Sequence, residues 1–302
     1  MTKHNTQLLG EAEVIALATD GSSFTDGAVQ EAIFLAQGCG AKLIVLNVIA
    51  VDSGSVTGLR TSSMNVPQDV TDYLDNIKKM ADDSGIECDI IIEESYYSPE
   101  KTLVDLAYKH KADVLIMGRH GKRGLLKLLV GSMTSKVIGQ GFPQVLVVPE
   151  DSLIKGEKIL VATDGSEDGE ITAETAIGMG KNCSSLKEIH VLSVASSESE
   201  REEAQALAEA ACHKGQEQVP SVTFHPLALV GKPSADIIAK TAEEKQVDMI
   251  LIGGHGKGLS KLLMGHVTEK VIGQAHCAVL VIEKKKDEGA EEEKENIPES
   301  NE

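Results

Sequence analysis

An internal repeat constrains the fold of this chain more than any other feature of its sequence. The residues ATDGS at 18–22 recur at 162–166, and the glycine-rich stretch MGRHG at 117–121 has the counterpart IGGHG at 252–256. In both copies an apolar run precedes each motif, and the two motifs follow each other in the same order. Such a coincidence has a very low prior by chance and indicates internal duplication. We therefore expect two homologous units in tandem.

Both copies alternate predicted strands with predicted helices. In the first copy strands are expected at 14–19, 42–49, 88–92, 113–117 and 144–148, and helices at 25–37, 67–83, 99–110 and after the glycine loop. In the second copy strands are expected at 158–163, 188–194, 221–224, 247–252 and 278–282, and helices at 168–180, at 198–217 and from 232 onward. Strands that are apolar throughout and separated by helices are typical of a parallel sheet covered on both faces. The predicted fold class is α/β, with two tandem doubly wound domains.

The predicted boundaries place the first domain at 12–149 and the second at 156–283, joined by a linker at 150–155. Residues 1–11 carry no periodic pattern and are expected to form a flexible lead-in. Residues 284–302 are acidic and almost without apolar side chains, so burial cannot offset their chain entropy and we expect a disordered tail. The tail is interpreted as solubilising, and a regulatory or partner-binding role is the alternative.

The composition excludes several classes of function. No apolar run in the 302 residues approaches the roughly 20 that a membrane helix needs, and the N-terminus lacks the apolar segment of a signal peptide. The five cysteines are scattered and without a C-x-x-C pair, which argues against disulfide and zinc frameworks and favours a reducing compartment. The formal net charge of −18 and the scarcity of aromatic residues argue against nucleic-acid binding. We therefore expect a cytoplasmic protein that binds neither membrane nor nucleic acid.

The glycine-rich stretch of the first copy has the features of a phosphate-binding loop. A predicted strand is followed by Gly118 and Gly121, and a new helical pattern begins after Gly131. Glycines let the backbone approach a ligand closely, and a helix N-terminus offers unpaired N–H groups and a partial positive charge. Three cations lie between the glycines, and they either supplement the phosphate site or are simply exposed: Lys122, Arg123 and Lys127.

Asp20 provides a second signal at the end of the first predicted strand. Ligands of open parallel sheets bind at the carboxyl ends of the strands, where the winding reverses. If the first and fourth strands are neighbours, Asp20 and the Gly118 loop share one crevice. Because a carboxylate repels phosphate, Asp20 is expected to accept hydrogen bonds from a ribose or a base. The sequence contains neither the P-loop pattern G-x-x-x-x-G-K-[ST] nor a G-x-G-x-x-G that opens the first helix.

The pattern G-x2-G-x9-G-[ST] after a strand, together with the Asp at the end of the first strand, resembles the universal stress protein family. The resemblance covers 12–149 and 156–283, and it implies a five-stranded parallel sheet of order 3-2-1-4-5 in each domain. It implies ATP as the ligand, with Mg2+ left open, and pairing of the fifth strands, 145–148 against 279–282, within one chain or in a homodimer. By position, Asp20 and Val48 would hold the ribose and adenine. The residues that would surround the phosphates are Met117, Gly118, Arg119, His120, Gly121, Gly131, Ser132, Met133 and Thr134.

The second copy departs from this pattern in two places. Eight residues instead of nine separate Gly256 from Gly265, and His266 replaces the Ser or Thr after the last glycine. We expect the shorter loop to move the start of the following helix relative to the first glycines. The first copy is therefore expected to bind ATP better than the second. The corresponding residues of the second copy are Asp164, Val194, Ile252, Gly253, Gly254, His255, Gly256, Gly265, His266, Val267 and Thr268.

The sequence shows no clear catalytic arrangement. A Ser/His/Asp spacing, paired carboxylates beside a nucleophile and a metal-ligand cluster are all missing. His120 and His255 lie inside the glycine loops and are interpreted as orienting or phosphate-contacting groups instead of general bases. Three hypotheses follow: a nucleotide-binding stress or signalling module whose conformation or partners change with ATP occupancy, a slow ATP hydrolase, and a nucleotide-free dimerisation scaffold. The sequence does not identify a protein partner.

Overall fold

The computed structural model describes residues 7–51, 66–120, 130–255 and 264–285, in which strands and helices alternate along the chain. The first half comprises β1 (Val14–Ala18), α1 (Asp26–Cys39), β2 (Lys42–Ala50), α2 (Gln68–Asp83), β3 (Cys88–Ser95), α3 (Pro99–Lys109), β4 (Val114–Gly118), α4 (Ser132–Ile138) and β5 (Gln144–Val148). The second half comprises β6 (Lys158–Ala162), α5 (Glu167–Asn182), β7 (Glu188–Ala195), α6 (Arg201–Gln218), β8 (Thr223–Val230), α7 (Ser234–Lys245), β9 (Met249–Gly253), α8 (His266–Gln274) and β10 (Ala278–Ile282). Both halves follow the predicted order of elements.

The ten strands described form one continuous sheet in the order β3-β2-β1-β4-β5-β10-β9-β6-β7-β8. Neighbouring strands within each half are parallel, and β1 and β6 each lie at the centre of their half. The strand order in each half is therefore 3-2-1-4-5. The predicted fold class is confirmed.

The two halves meet along β5 and β10, which pair in antiparallel orientation. Leu146 lies opposite Leu280 and Val147 opposite Val279, and all four side chains are almost completely buried. The pairing of fifth strands that the sequence predicts thus occurs within this chain.

Helices cover both faces of the sheet, as the continuous burial along its central strands requires. One apolar layer contains α1, α2, α5 and α6, and the other contains α3, α4, α7 and α8. Along β1, for example, Ile15 and Leu17 face the first layer, whereas Ala16 and Ala18 face the second. Each layer runs across both halves, so the two units share their cores.

The aspartate just before β4, and the one just before β9, bind the start of the neighbouring central strand through hydrogen bonds. Asp113 accepts hydrogen bonds from the N–H groups of residues 13 and 14 at 2.8 and 3.0 Å. Asp248 accepts them from residues 157 and 158 at 2.7 and 3.0 Å. These contacts lie at the amino ends of the strands, opposite to the predicted crevices. The duplication thus preserved a structural device that the sequence analysis did not single out.

Two predicted elements differ from the structure. Leu8 and Leu9 fall in the predicted flexible lead-in, yet both are buried in an apolar layer, because their side chains complete the core beneath α1 and α5. β8 extends to Val230 instead of ending at 224, and it contains Pro226. Since β8 is an edge strand, a proline there need not remove a ladder bond. In the described ranges no helix is long and apolar enough to span a membrane.

Candidate functional site

The sheet order brings the two sequence signals of each copy together. β1 and β4 are neighbours, with Ala18 opposite Met117, so Asp20 and Gly118 lie at the same edge of the sheet. β6 and β9 repeat this arrangement, with Ala162 opposite Ile252. In each half this is the position where the strand order reverses, which is where open α/β sheets bind ligands.

The Asp-Gly-Ser turn that follows the central strand orients its carboxylate in both halves. Asp20 accepts hydrogen bonds from the N–H and hydroxyl groups of Ser22 at 3.1 and 2.6 Å. Asp164 accepts one from the N–H group of Ser166 at 2.9 Å. Both carboxylates are exposed, and the glycine of each turn has a positive φ, +75° at Gly21 in the first half. The turn therefore presents an acceptor at the mouth of each crevice.

Main-chain bonds close the two glycine loops in the same way. The N–H group of Gly131 donates to the carbonyl of Arg119 at 2.9 Å, and that of Gly265 donates to the carbonyl of Gly254 at 2.9 Å. The predicted shift of the second helix is therefore wrong. The one-residue difference between the loops falls between these matching anchor points, among residues 121–129 and 256–263, which lie outside the described part of the chain.

Thr134 and Thr268 have a structural role beside the predicted one. Their hydroxyl groups donate to the carbonyls of Gly118 at 3.0 Å and Gly253 at 2.8 Å, and both side chains are buried. These bonds tie the helix start to the strand end, and the predicted phosphate contact of the two threonines stays a prediction. The main-chain N–H groups in the first turn of α4 and of α8 have no acceptor within the helix.

In the second half the predicted residues converge on one cleft with a volume of about 240 Å3. Those that line it are Asp164, Val194, Ile252, Gly253, His255, Gly265, His266, Val267 and Thr268. Gly254 is absent from this lining, because it packs against Glu283 on the other side of the loop. Gly256 lies outside the described residues.

Part of this cleft lies outside the residues predicted from the sequence. Ser234 and Ile238 line it from the first turns of α7. α7 follows the edge strand β8, so its start also reaches the carboxyl edge of the sheet. The position of a predicted helix start after the third strand was the signal that could have found them. The other lining residues outside the prediction are Ala162, Thr163, Ser166, Gly169 and Leu192.

The first half places its predicted residues in the corresponding positions. Val48 lies in β2 and is half-buried, whereas Met117 and Gly118 end β4 and are buried. Ser132 and Met133 begin α4 and are exposed. Gly121 lies outside the described residues, so its predicted role stays a prediction.

The two loop histidines have different surroundings. The Nδ1 atom of His255 lies 3.7 Å from a carboxylate oxygen of Asp168 and 3.7 Å from one of Glu283, and all three side chains are buried. The main-chain N–H group of His255 donates a hydrogen bond to the carboxylate of Asp168 at 3.2 Å. Gly253 has Asp168 beside it, whereas Gly118 in the first half has the methyl group of Thr25 and the carbonyl of Phe24 beside it. His120 is therefore not enclosed by the same acidic pair.

Arg119 does not point into the predicted phosphate site. Its Nη1 atom donates to the carbonyls of Ile272, Gly273 and Ala275 at 3.4, 3.4 and 2.8 Å, at the C-terminal end of α8. Burial lowers the pKa of this guanidinium below its ordinary value. The main-chain N–H group of Arg119 donates to Val148 at 2.9 Å. The side chain thus contributes to the contact between the two halves. The prediction that this side chain contacts a phosphate is therefore wrong.

The described residues give no sign of metal or disulfide chemistry. Within them, no group of three or more His, Cys, Asp and Glu side chains is arranged to hold a metal ion. All five cysteines are described and free, and four of them are buried. Burial raises the pKa of Cys88 to about 11, which keeps this thiol in its unreactive protonated form.

Fold and site together define a tandem, doubly wound α/β protein whose two halves each carry a glycine loop beside an Asp-Gly-Ser turn. The chain belongs to the universal stress protein family, whose model matches residues 12–149 and 156–283. Universal stress protein MJ0531 of Methanocaldococcus jannaschii is 34% identical over 140 residues, which cover 44% of this chain and 80% of that protein. Universal stress protein Rv2005c of Mycobacterium tuberculosis is 23% identical over 201 residues, covering 62% of this chain and 66% of that protein. The crystal structure of a universal stress protein from Archaeoglobus fulgidus shares the fold, with a TM-score of 0.67 at 19% identity and coverage of 94% of this chain and 100% of that one.

Proposed function

We propose that this universal stress protein binds ATP at the carboxyl edge of its sheet and acts as a stress-response or signalling module switched by nucleotide occupancy. The observation that carries the proposal is the convergence of the predicted residues on one cleft of about 240 Å3 in the second half. The same turn, glycines and helix start lie together in the first half. We place this activity in the cytoplasm, where ATP is available.

The two ends of the cleft suit the two ends of an adenine nucleotide. At one end, the exposed carboxylates of Asp20 and Asp164 would accept hydrogen bonds from ribose hydroxyls, and Val48 and Val194 offer apolar contact for the base. At the other end, α4 and α8 would direct the N–H groups of their first turns, with the positive end of the helix dipole, towards the phosphates.

We expect the first half to bind ATP more tightly than the second. The ends of the two loops are held by the same main-chain bonds, so within the described part of the chain the difference rests on side chains. Ser132 follows the last glycine of the first half, whereas His266 follows that of the second and lines its cleft. An imidazole is bulkier than a hydroxymethyl group and leaves less room for a triphosphate.

The experiment that tests ATP binding is analysis of the nucleotide that the protein retains. Purified protein is denatured by heat or acid, and the released nucleotide is separated by chromatography. We expect adenine nucleotide in the extract, or binding of added ATP with and without Mg2+ in a titration. A stoichiometry near zero in both measurements would contradict the proposal and favour a nucleotide-free scaffold. Gel filtration of the same samples tests whether two chains form a homodimer.

A slow ATP hydrolase is the second candidate, and one observation favours it. His255 lies beside the second cleft with its Nδ1 atom near Asp168 and Glu283, an arrangement that can orient an imidazole and support it as a general base. Steady ADP production that is lost in His255→Gln and retained in His120→Gln would support this candidate. Production that is unaffected by both substitutions would contradict it.

A further inference from the structure

Arg119 belongs to the first half by sequence, yet its side chain supports an element of the second half. Three carbonyls at the end of α8 accept hydrogen bonds from its Nη1 atom. At the same time its own carbonyl accepts the N–H group of Gly131, which begins α4. One residue therefore connects the first glycine loop to α8.

The ends of α4 and α8, as far as the structure describes them, differ in what binds their last carbonyls. α4 closes with its own turn, in which the N–H group of Gln140 donates to Val137 and that of Gly141 to Ile138, with Gly141 at φ +76°. In α8 the N–H group of Ala275 donates to Val271, and Arg119 binds the carbonyls of Ile272, Gly273 and Ala275. Because the last carbonyls of a helix lack partners within it, a buried cation at that end satisfies them and offsets the helix dipole.

The other end of α8 forms part of the second cleft. Gly265, His266, Val267 and Thr268 all line that cleft. α8 contains nine residues, so its two ends are about 13 Å apart at the rise of an α-helix. A short helix that is held at its C-terminal end transmits the position of that end to its first turn.

We propose that Arg119 is a positioning residue of the second cleft and acts through α8. This inference rests on the proposed function, because the second cleft must bind ATP for the effect on affinity to be seen. The second half has no corresponding arginine that could support α4 in the same way. The residue of the second half that corresponds to Arg119 is Gly254, which has no side chain, and Glu283 occupies the space that a Cβ there would need. A substitution in the first-half loop should therefore weaken binding in the second half.

The test measures each cleft separately. Asp20→Ala is used to weaken ATP binding in the first cleft, and Asp164→Ala to weaken it in the second. Arg119→Met is then added to each of these two proteins. In isothermal titration with ATP we expect Arg119→Met to weaken binding about fivefold in the Asp20→Ala protein and less than twofold in the Asp164→Ala protein. The reverse pattern would make Arg119 a ligand contact of its own loop and overturn the proposal, as would equal affinities with and without the substitution in both backgrounds.

Two further variants separate positioning from general damage. Arg119→Lys keeps the cation but offers a less extended donor group, so its affinity at the second cleft should fall between those of wild type and Arg119→Met. Arg201→Met removes an exposed arginine that pairs with Glu198 on the surface, and should leave both clefts unchanged. A loss in Arg201→Met equal to that in Arg119→Met would overturn the assignment.

A measurement without nucleotide distinguishes failure of this inference from failure of the proposed function. In hydrogen exchange of the full chain, Arg119→Met should accelerate exchange of the α8 amides and leave those of α4 unchanged. If neither background binds ATP, the proposed function fails, and faster exchange in α8 still supports the positioning contact. Unchanged exchange in α8 overturns the positioning role whatever the titrations show.

Discussion

The two halves of the molecule share the main-chain bonds at the ends of the glycine loop but differ in the side chains around them. The bond that closes the loop is 2.9 Å long in both, and a buried threonine hydroxyl fastens the helix start in both. Beside the strand end, the neighbour of Gly118 is the methyl group of Thr25, whereas the neighbour of Gly253 is Asp168. The two ends of the loop are thus held by main-chain bonds and one hydroxyl. The neighbouring side chains were therefore able to diverge after duplication without loss of these bonds.

The largest effect is expected when the glycine that begins α4 is replaced. A Cβ at Gly131 would lie 3.1 Å from the carbonyl oxygen of Arg119, and a Cβ at Gly265 would lie 3.0 Å from that of Gly254. A valine side chain would therefore clash to almost the same degree at both positions. We expect Gly131→Val to reduce ATP affinity about a hundredfold, close to 3 kcal/mol. Gly265→Val is expected to remove only the weaker binding of the second half.

Titration of both variants with ATP checks this prediction, and each serves as the control for the strain in the other. Circular dichroism and urea unfolding establish that both remain folded to the same extent. Equal losses of affinity would show that the second cleft is as competent as the first and would remove the proposed ranking.

A buried histidine in the second half occupies the place of an isoleucine in the first. His190 lies opposite Leu160, just as Ile44 lies opposite Ala16. Burial, and next the nearby His225, lower the pKa of His190 from 6.5 to about 4. A histidine with a lowered pKa binds a proton more readily when the chain is unfolded. The free energy of unfolding therefore falls as the pH drops from 6.5 to about 4, by about 3 kcal/mol in total.

His190→Ile gives the second half the residue of the first. We expect the variant to lose less stability than wild type between pH 6.5 and 4 in urea unfolding, while the two differ least in pH dependence above pH 7. A parallel loss of stability in both proteins over the acid range would rule out His190 as the cause.

A buried carboxyl in the first half has the opposite pH dependence. Glu31 of α1 accepts a hydrogen bond from the N–H group of Ile154 at 3.0 Å, in the segment that joins the halves. Burial is the main cause that raises its pKa from 4.5 to about 7. Because the folded chain holds this proton more tightly than the unfolded chain, the stabilisation is complete below pH 4.5. It is lost as the pH rises through 7, by about 3 kcal/mol.

Glu31→Gln keeps an acceptor for Ile154 and removes the charge. The variant should be more stable than wild type at pH 8, and the difference should shrink as the pH is lowered towards 4.5. In wild type the Glu31 and His190 effects offset each other between pH 4.5 and 6.5. A Glu31→Gln protein with the same pH profile as wild type would contradict the assignment.

The elements and the site position were predictable because their signals are local. Continuous apolar strands and a repeated motif sufficed for the tandem α/β fold, and a neighbouring first and fourth strand brought Asp20 and Gly118 together as expected. The direction of the Arg119 side chain was not predictable, because it depends on where the end of α8 lies in the other half. The burial of Leu8 likewise depends on helices far along the chain.

Some of what was missed did have a signal in the repeat. Thr134 and Thr268 follow the last glycine at the same distance, and this repeated hydroxyl indicates a shared role, whose partner at the strand end the structure identifies. Asp113 and Asp248 both immediately precede an apolar run. A polar residue that recurs just before a buried strand in both copies indicates a structural bond to the neighbouring strand.

The smallest expected effect concerns this last pair, which contrasts the halves at the end of the sheet away from the clefts. Each carboxylate accepts two main-chain bonds of similar length, but Asp248 is buried and Asp113 is exposed. A hydrogen bond to a carboxylate is stronger where water is excluded, and buried N–H groups without a partner are costly. We therefore expect Asp248→Ala to lower the free energy of unfolding by about 2 kcal/mol and Asp113→Ala by about 1 kcal/mol. Urea unfolding at pH 7 measures both, and Asp→Asn at each position should give a smaller loss, because the amide oxygen still accepts. A loss at Asp113 that equals or exceeds the loss at Asp248 would show that solvent exclusion does not distinguish the two strand starts.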